Sequence, residues 1–170
     1  FTAFKAGHLA DTGPAAFAGC ITISCDPDSI EATLALTRED QVYGAFGIHP
    51  HDAKAYSPGL EARLIAALGH PKALAYGEIG LDYHYDSSPR EVQREIFARQ
   101  IRQGVALGKP LIIHTREAEA DTLEILSENA ADQDRAILAD HGPAEQAERR
   151  IISQVGGAHE GSRQDCYGDA

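Results

Sequence analysis

Residues 73–85, ALAYGEIGLDYHY, decide the fold, because an apolar run leads there into a polar segment that contains glycine. Residues 73–76 predict a buried strand, and Gly77 and Gly80 let backbone or a ligand approach closely where the strand ends. Glu78 thus lies where a strand leaves the core, and a carboxylate is costly there unless a cation compensates its charge. Two interpretations of Glu78 stay open at this point: an ion pair with an arginine, or a metal ligand or general acid–base.

Three other apolar runs each lead into a histidine at their C-terminal end. They are residues 42–48 before His49, residues 110–113 before His114, and residues 136–139, which Asp140 separates from His141. Between positions 49, 78, 114 and 141 the intervals are 29, 36 and 27 residues, each long enough for a strand, a helix and two loops. Such spacing is typical of repeated βα units, whose strands end at one common edge of a parallel sheet. A single histidine after a strand more often has a structural role, whereas four such residues at similar intervals along the chain predict a shared site.

The length and composition fit one folded domain. The chain has 170 residues, of which 43% are hydrophobic and 24% charged, values typical of neither disordered nor membrane proteins. We expect a single α/β domain over residues 1–156 and an irregular tail over 157–170. About five strands are predicted, near residues 20, 42, 73, 111 and 136, with a last helix over 144–155. A closed (β/α)₈ barrel typically needs about 250 residues, so either the barrel is incomplete or the sheet is open.

Several function classes are disfavoured by the sequence. No stretch approaches the roughly 18 apolar residues of a membrane span, and residues 1–19 lack the pattern of a signal peptide. The three cysteines are an odd number without metal-ligand spacing, which indicates a reducing compartment and a cytoplasmic location. The net charge of −11 argues against a pure nucleic-acid-binding module. It leaves phosphoester chemistry open, since a bound metal ion can reverse the charge of a site.

Four segments together resemble the TatD family of metal-dependent hydrolases. They are GIHPH at 47–51, AYGEIGLDY at 75–83, QREIF at 93–97 with Gln100, and PLIIHTR at 110–116. Their order and spacing fit the family across residues 24–126, and GEIGLDY is the most specific of them. The resemblance implies a TIM-barrel-like fold with about five of the eight βα units. It also implies hydrolysis of phosphodiester bonds, with DNA or another phosphoester as substrate.

The resemblance also implies roles for individual residues. Glu78 would bridge two divalent ions, Mg, Mn or Zn, and His114 and His141 would be further ligands. His49 would line the mouth of the site and contact the substrate phosphate, and Arg116 would support the site or hold that phosphate. We therefore expect catalytic roles for His49, Glu78 and Arg116, and binding of one or two metal ions by Glu78, His114 and His141.

Two parts of the family pattern are absent from the sequence. The family's N-terminal His-x-His is matched only by AGHL at residues 6–9, with alanine in place of the first histidine, and its late aspartate is matched weakly by Asp165. The alternative interpretation is therefore a catalytically impaired remnant or fragment that binds at most one metal ion. We interpret Asp82 as shaping the loop after Glu78 and His51 as a solvated turn residue. An incomplete barrel exposes open sheet edges, so self-association is a further hypothesis.

Overall fold

The computed structural model describes residues 19–130 and the backbones of two further strands, at 136–140 and 151–152. In chain order the elements are β1 (Cys20–Ser24), α1 (Ile30–Leu36), β2 (Val42–Phe46), a 3₁₀ helix (Pro50–Ala55), α2 (Pro58–Leu68), β3 (Ala73–Asp82), α3 (Arg90–Ala106), β4 (Leu111–Arg116), α4 (Glu119–Asn129), β5 (Ala136–Asp140) and β6 (Ile151–Ile152). The five strands expected from the sequence are all present.

The sheet follows the order of the chain, from β1 through β6. Strands β1 to β5 are parallel, and each neighbours the next strand along the chain. Because a helix lies between each consecutive pair from β1 to β5, this is the sequential winding of a TIM barrel, with five parallel strands among the described residues where a closed barrel has eight. The prediction of an α/β, TIM-barrel-like and incomplete fold is confirmed.

One element differs from the prediction. Residues 151–152 belong to β6, which pairs antiparallel with β5, so the helix expected over 144–155 is wrong at these positions. Two adjacent β-branched isoleucines favour a strand at a sheet edge. The rest of that predicted helix, the whole predicted tail and His141 lie outside the described residues. The division at residue 156 stays a prediction.

The two faces of the sheet are buried differently. The large core side chains lie between the sheet and its helices: Phe46, Tyr76 and Ile113 come from the strands, and Phe97 comes from α3. Burial of each such side chain contributes about 1.5–3 kcal/mol. Alternate residues point to the opposite face, the interior side of the barrel, where the smaller cluster of Ala45, Ala75 and Ile112 lies.

Exposed apolar residues mark the first strand of the sheet. Ile21 and Ile23 of β1 are both substantially exposed. An edge strand of this kind invites pairing with another chain, and self-association stays a prediction. No helix of the described residues is long and apolar enough to cross a lipid bilayer. The cytoplasmic location also stays a prediction.

Two buried glutamines of α3 attach the ends of two strands to this helix. Gln100 accepts a hydrogen bond from the Ile48 N–H at 2.9 Å and donates one to the Ile48 carbonyl at 3.0 Å. Gln93 accepts from the Asp82 N–H at 2.8 Å and donates to the Asp82 carbonyl at 3.1 Å. Each glutamine amide thus bonds to backbone groups that no neighbouring strand pairs with, at the point where the sheet ends. Buried polar groups need hydrogen-bond partners of this kind. The segments on either side of the candidate site are fixed in this way.

Candidate metal centre

Three of the four predicted strand-end residues meet at the carboxyl edge of the sheet. His49, Glu78 and His114 each offer one ligand atom, and these atoms all lie within 4.8 Å of one another. We call these three residues the metal cluster. Nδ1 of His114 lies 3.2 Å from Oε1 of Glu78, and the rings of His49 and His114 have centroids 4.3 Å apart. The fourth residue, His141, lies outside the described residues, so its role as a ligand stays a prediction.

The backbone at Glu78 departs from a regular strand. The register between β3 and β4 shifts between Tyr76 and Ile79, and an irregularity of this kind re-aims a side chain. Gly77 in the middle has a φ of +153°, and a Cβ there would lie 2.5 Å from the Ile112 carbonyl oxygen. Only glycine fits this position, and the close approach of β3 to β4 places Glu78 beside His114.

Asp82, at the end of β3, holds two histidines and the loop at once. Its Oδ2 lies 3.0 Å from Nε2 of His51 and 3.1 Å from Nε2 of His114. Its Oδ1 accepts the backbone N–H groups of His84 and Tyr85 at 3.0 and 2.9 Å. Burial by itself raises the pKa of Asp82, but the Tyr85 N–H and the rings of His51 and His114 outweigh it and lower the pKa to about 2. The side chain is therefore a fully buried, ionised carboxylate at neutral pH.

The ionised state of Asp82 determines which nitrogen of His114 carries a proton. A carboxylate without a proton can only accept, so Nε2 of His51 and of His114 must both donate to it. A neutral His114 then presents the lone pair of Nδ1 toward the Glu78 carboxylate. Two acceptors 3.2 Å apart repel each other unless a proton or a metal cation lies at that point. The donor set of carboxylate oxygen and imidazole nitrogen thus suits a divalent ion, with Mg, Mn and Zn all compatible.

From its place in the sequence Asp82 is expected only to shape the loop after Glu78, and the structure gives it a second role. The loop contact is present, but the same carboxylate also orients His51 and His114. His51 lies in the 3₁₀ turn with its side chain 35% exposed, as the interpretation of a turn residue requires, but its ring also binds Asp82. A useful signal was the position of Asp82 directly at the end of a buried strand, where an ionised side chain needs partners.

Cys25, which directly follows β1, contacts the second carboxylate oxygen of Glu78. Its Sγ lies 3.9 Å from Oε2 of Glu78. Burial and the negative charge of Glu78 raise the pKa of the Cys25 thiol to about 11, so the thiol keeps its proton and donates it to the carboxylate. The two oxygens of Glu78 therefore face different groups, His114 on one side and the thiol on the other.

His49 follows β2, and its ring has a different hydrogen-bond partner from that of His114. Its Nδ1 accepts the backbone N–H of His51 at 3.3 Å, so a neutral ring carries its proton on Nε2. Burial and the neighbouring His114 lower the pKa of His49 to about 4. His49 is therefore neutral at pH 7, with an Nε2–H that can donate to an anion.

This lowered pKa predicts a pH-dependent stability. Unfolded His49 takes up a proton near pH 6.5, whereas the folded protein resists protonation down to about pH 4. Stability should therefore fall as the pH drops from 6.5 to 4, by up to roughly 3 kcal/mol, and show no further loss from this group below pH 4. Urea unfolding across this range should show the loss in the wild type and a smaller loss in His49→Asn. Asparagine keeps an acceptor for the His51 N–H, and equal pH profiles of the two proteins would contradict the assignment.

Arg116 lies at the end of β4, beside the metal cluster and not within it. Its guanidinium carbon lies 4.7 Å from the centroid of the Tyr85 ring. The structure therefore places Arg116 at the same sheet edge as Glu78 and His114, and its catalytic role stays a prediction.

Comparison with known proteins identifies the family. A family model described as "TatD related DNase" matches residues 5–157. The human "3'-5' RNA nuclease TATDN2" is 47% identical over 129 residues, which cover 74% of this chain and 17% of that protein. The "uncharacterized metal-dependent hydrolase YabD" of Bacillus subtilis (strain 168) is 36% identical over 119 residues, 69% of this chain and 47% of that protein.

A solved structure agrees with this result. The crystal structure of YJJV, a TatD homologue from Escherichia coli K12, superposes with a TM-score of 0.65 at 25% identity and covers 76% of this chain and 51% of that one. The chain therefore spans about half the length of YabD and YJJV, and less of the human nuclease. The match over residues 5–157 covers most of the sequence and includes every strand of the sheet. This chain belongs to the TatD-related DNase family.

Proposed function

We propose that the chain forms a metal-dependent site that hydrolyses phosphodiester bonds of nucleic acid, DNA or RNA. The observation that carries this proposal is the approach of Oε1 of Glu78 to Nδ1 of His114, at 3.2 Å. Because Nε2 of His114 binds Asp82, a proton or a divalent ion can lie between these two atoms, and carboxylate oxygen with imidazole nitrogen is a donor set for such an ion. The nuclease names of the family and of the human relative support nucleic acid as the substrate.

The residues of the site then have separate tasks. When bound, a divalent ion supplies a water nucleophile active near neutral pH and positive charge for the phosphate. Glu78 and His114 hold that ion, and Asp82 keeps the Nδ1 lone pair of His114 available to it. His49 donates its Nε2–H to a phosphate oxygen, and Arg116 adds positive charge at the same edge. His141 is proposed as a further ligand.

A second candidate function is a remnant that binds at most one metal ion without hydrolysis. Among the described residues, one cluster of three candidate ligands is found, and Glu78 and His114 remain as ligands when His49 uses Nδ1 to accept the His51 N–H and keeps its proton on Nε2. With the proposed His141 they would make three. Three protein ligands and a water molecule suffice for a single zinc ion, whereas a two-metal site needs more. The number of ions bound per chain therefore distinguishes the two candidates.

The experiment combines metal analysis with a nuclease assay. The purified 170-residue chain, loaded with Mn²⁺, is expected to shorten a 5′-labelled single-stranded oligonucleotide, to lose this activity in EDTA and to regain it with added Mn²⁺. His114→Asn should reduce both Mn²⁺ affinity and turnover by about 100-fold or more, since it removes a ligand whose mere orientation is worth 10–100-fold.

The matched control is His84→Asn, which alters an exposed histidine paired with Glu117 outside the metal cluster. It should leave metal content and turnover close to those of the wild type. One ion bound without turnover would favour the remnant, and turnover that persists in EDTA would contradict metal-dependent hydrolysis.

A further inference from the structure

We propose that the thiol of Cys25 is a further ligand of the metal centre and that it makes this centre prefer thiophilic ions, such as Zn²⁺, Co²⁺ and Cd²⁺, to Mg²⁺ and Mn²⁺. Cys25 is not among the ligands that the family resemblance implies. The ion would be held by Sγ of Cys25 together with Oε2 of Glu78. This inference rests on the proposed function, because it assigns the class of metal ion to the same site.

The position of Cys25 in the sheet is the first observation. Cys25 directly follows β1 and His49 follows β2, while Glu78 and His114 lie within β3 and β4. Each of the first four parallel strands thus brings one candidate ligand to the carboxyl edge of the sheet. The backbone N–H of His49 donates to the carbonyl of Cys25 at 2.8 Å, so Cys25 is held directly beside a residue of the metal cluster.

The contact between Cys25 and Glu78 is the second observation. Sγ of Cys25 lies 3.9 Å from Oε2 of Glu78, whereas Oε1 faces Nδ1 of His114 at 3.2 Å. A sulfur and an oxygen that bind the same tetrahedral zinc ion lie about 3.5–3.7 Å apart, because the two bonds are about 2.3 and 2.0–2.2 Å long. The observed separation therefore needs only a small adjustment to admit an ion. A carboxylate can bind one ion through both oxygens or bridge two ions, and Sγ is next to Oε2 in either case.

The surroundings of Cys25 differ from those of a cysteine that only fills an apolar core. The residue is partly buried, and its thiol contacts a carboxylate oxygen. When a metal ion binds, the S–H bond breaks, the sulfur bonds to the ion, and the proton passes to the solvent. The positive charge of the ion then compensates the thiolate and the Glu78 carboxylate at one point.

The softness of sulfur accounts for the selectivity. Carboxylate oxygen and imidazole nitrogen together are compatible with Mg²⁺, Mn²⁺ and Zn²⁺, whereas a thiolate favours Zn²⁺ and chemically similar ions. Cys25→Ser keeps a hydrogen-bond donor for Glu78 and removes the soft ligand. We therefore expect Cys25→Ser to lower the Cd²⁺ affinity by about 100-fold and the Mn²⁺ affinity by less than about threefold.

The test uses Co²⁺ and Cd²⁺ with the metal-free 170-residue chain, without nucleic acid. Co²⁺ bound to a thiolate absorbs strongly in the near ultraviolet through charge transfer from sulfur, an absorption that oxygen and nitrogen ligands do not produce. The wild type is expected to show this absorption when it is titrated with Co²⁺, and Cys25→Ser is expected to lose it. Calorimetric titration with Cd²⁺ and with Mn²⁺ measures the two affinities, and their ratio should fall in Cys25→Ser.

Cys20→Ser is the matched control, because Cys20 lies at the opposite end of the same strand and is also partly buried. It should keep the charge-transfer absorption and the Cd²⁺ preference of the wild type. Urea unfolding in EDTA should show that both variants are folded. Absence of the absorption in the wild type, or its persistence in Cys25→Ser, would overturn Cys25 as a ligand.

These measurements do not depend on turnover, so the two proposals can fail separately. A chain that shows the absorption and the Cd²⁺ preference but hydrolyses no nucleic acid would refute the proposed function alone. Hydrolysis with Mn²⁺ by a chain that shows no charge-transfer absorption with Co²⁺ would refute the role of Cys25 alone.

Discussion

Glu78→Gln is expected to abolish high-affinity binding of divalent ions and yet leave the metal-free protein equally or more stable. The substitution removes the negative charge of the one carboxylate in the metal cluster, and imidazoles alone hold Mg²⁺ or Mn²⁺ poorly. We expect the Mn²⁺ affinity to fall by about 100-fold or more, a larger change than the 10–100-fold caused by losing an outer contact. Titration calorimetry and elemental analysis after dialysis measure this loss.

Although Glu78→Gln should lower the metal affinity, it should not lower the free energy of unfolding of the metal-free protein. In the wild type, Oε1 of Glu78 and Nδ1 of His114 lie 3.2 Å apart, and a hydrogen bond between them requires a second proton on the ring while Nε2–H donates to Asp82. A glutamine amide can instead donate to that nitrogen and form a neutral hydrogen bond, which contributes about 0.5–1.5 kcal/mol. Functional sites commonly trade stability for activity in this way. Urea unfolding in EDTA should therefore show a stability that is unchanged or higher by about 1 kcal/mol.

Glu117→Gln is the matched control for Glu78. Glu117 is exposed and pairs with His84, so the same chemical change there should alter neither metal content nor stability measurably. If Glu78→Gln retained the metal content of the wild type, the metal cluster would not be the binding site. If it unfolded in EDTA, the Glu78 carboxylate would be required for folding and the expected gain in stability would be refuted.

The meeting of His49, Glu78 and His114 could be predicted because it follows from the order of the chain. Parallel strands wound in sequence end at one edge, so a ligand-type residue after each strand must lie near the others. This argument needs only spacing and apolar runs, and it requires no knowledge of the loops. It also explains why the partial barrel could be predicted from the number of strands that the sequence contains.

The contacts that hold the side chains of the metal cluster in place could not be predicted. They join residues far apart in the sequence, and the spacing of apolar residues does not indicate them. Asp82 binds His51, which belongs to the preceding βα unit and reaches the end of β3 only through the 3₁₀ helix. Gln93 and Gln100 of α3 are both buried, although glutamine side chains are usually exposed to solvent. Both are buried because each bonds with both polar groups of a single backbone residue, a match of shape invisible in the sequence.

Asp82→Ala is expected to destabilise the fold strongly. The carboxylate of Asp82 accepts from four donors: the rings of His51 and His114 and the backbone N–H groups of His84 and Tyr85. Alanine would leave these donors without their partner in a buried site, which typically costs about 3–5 kcal/mol. Since domains have about 5–15 kcal/mol in total, urea unfolding should show a large loss, with partial unfolding at 37 °C.

Asp82→Asn separates the role in folding from the role in orienting the histidines. The amide oxygen of asparagine can still accept the two backbone N–H groups, so most of the stability should be retained. Its NH₂ group then faces Nε2 of His51 and of His114, and a donor there requires a lone pair on each nitrogen. The proton of His114 would move to Nδ1 and point toward Glu78. We therefore expect a folded variant whose Mn²⁺ affinity is reduced by about 10–100-fold.

The tautomer itself is the readout that a merely structural role would not change. In ¹⁵N-labelled metal-free protein, the long-range ¹H–¹⁵N spectrum of His114 should show the proton on Nε2 in the wild type and on Nδ1 in Asp82→Asn. Asp121→Asn, which alters an aspartate that binds Tyr83 and Arg94 away from the metal cluster, should leave the His114 signals unchanged. A folded Asp82→Asn with the wild-type tautomer and wild-type Mn²⁺ affinity would show that His114 is oriented by other groups. A changed tautomer with lowered affinity would show that the buried carboxylate at the end of β3 determines whether the site can hold a metal ion.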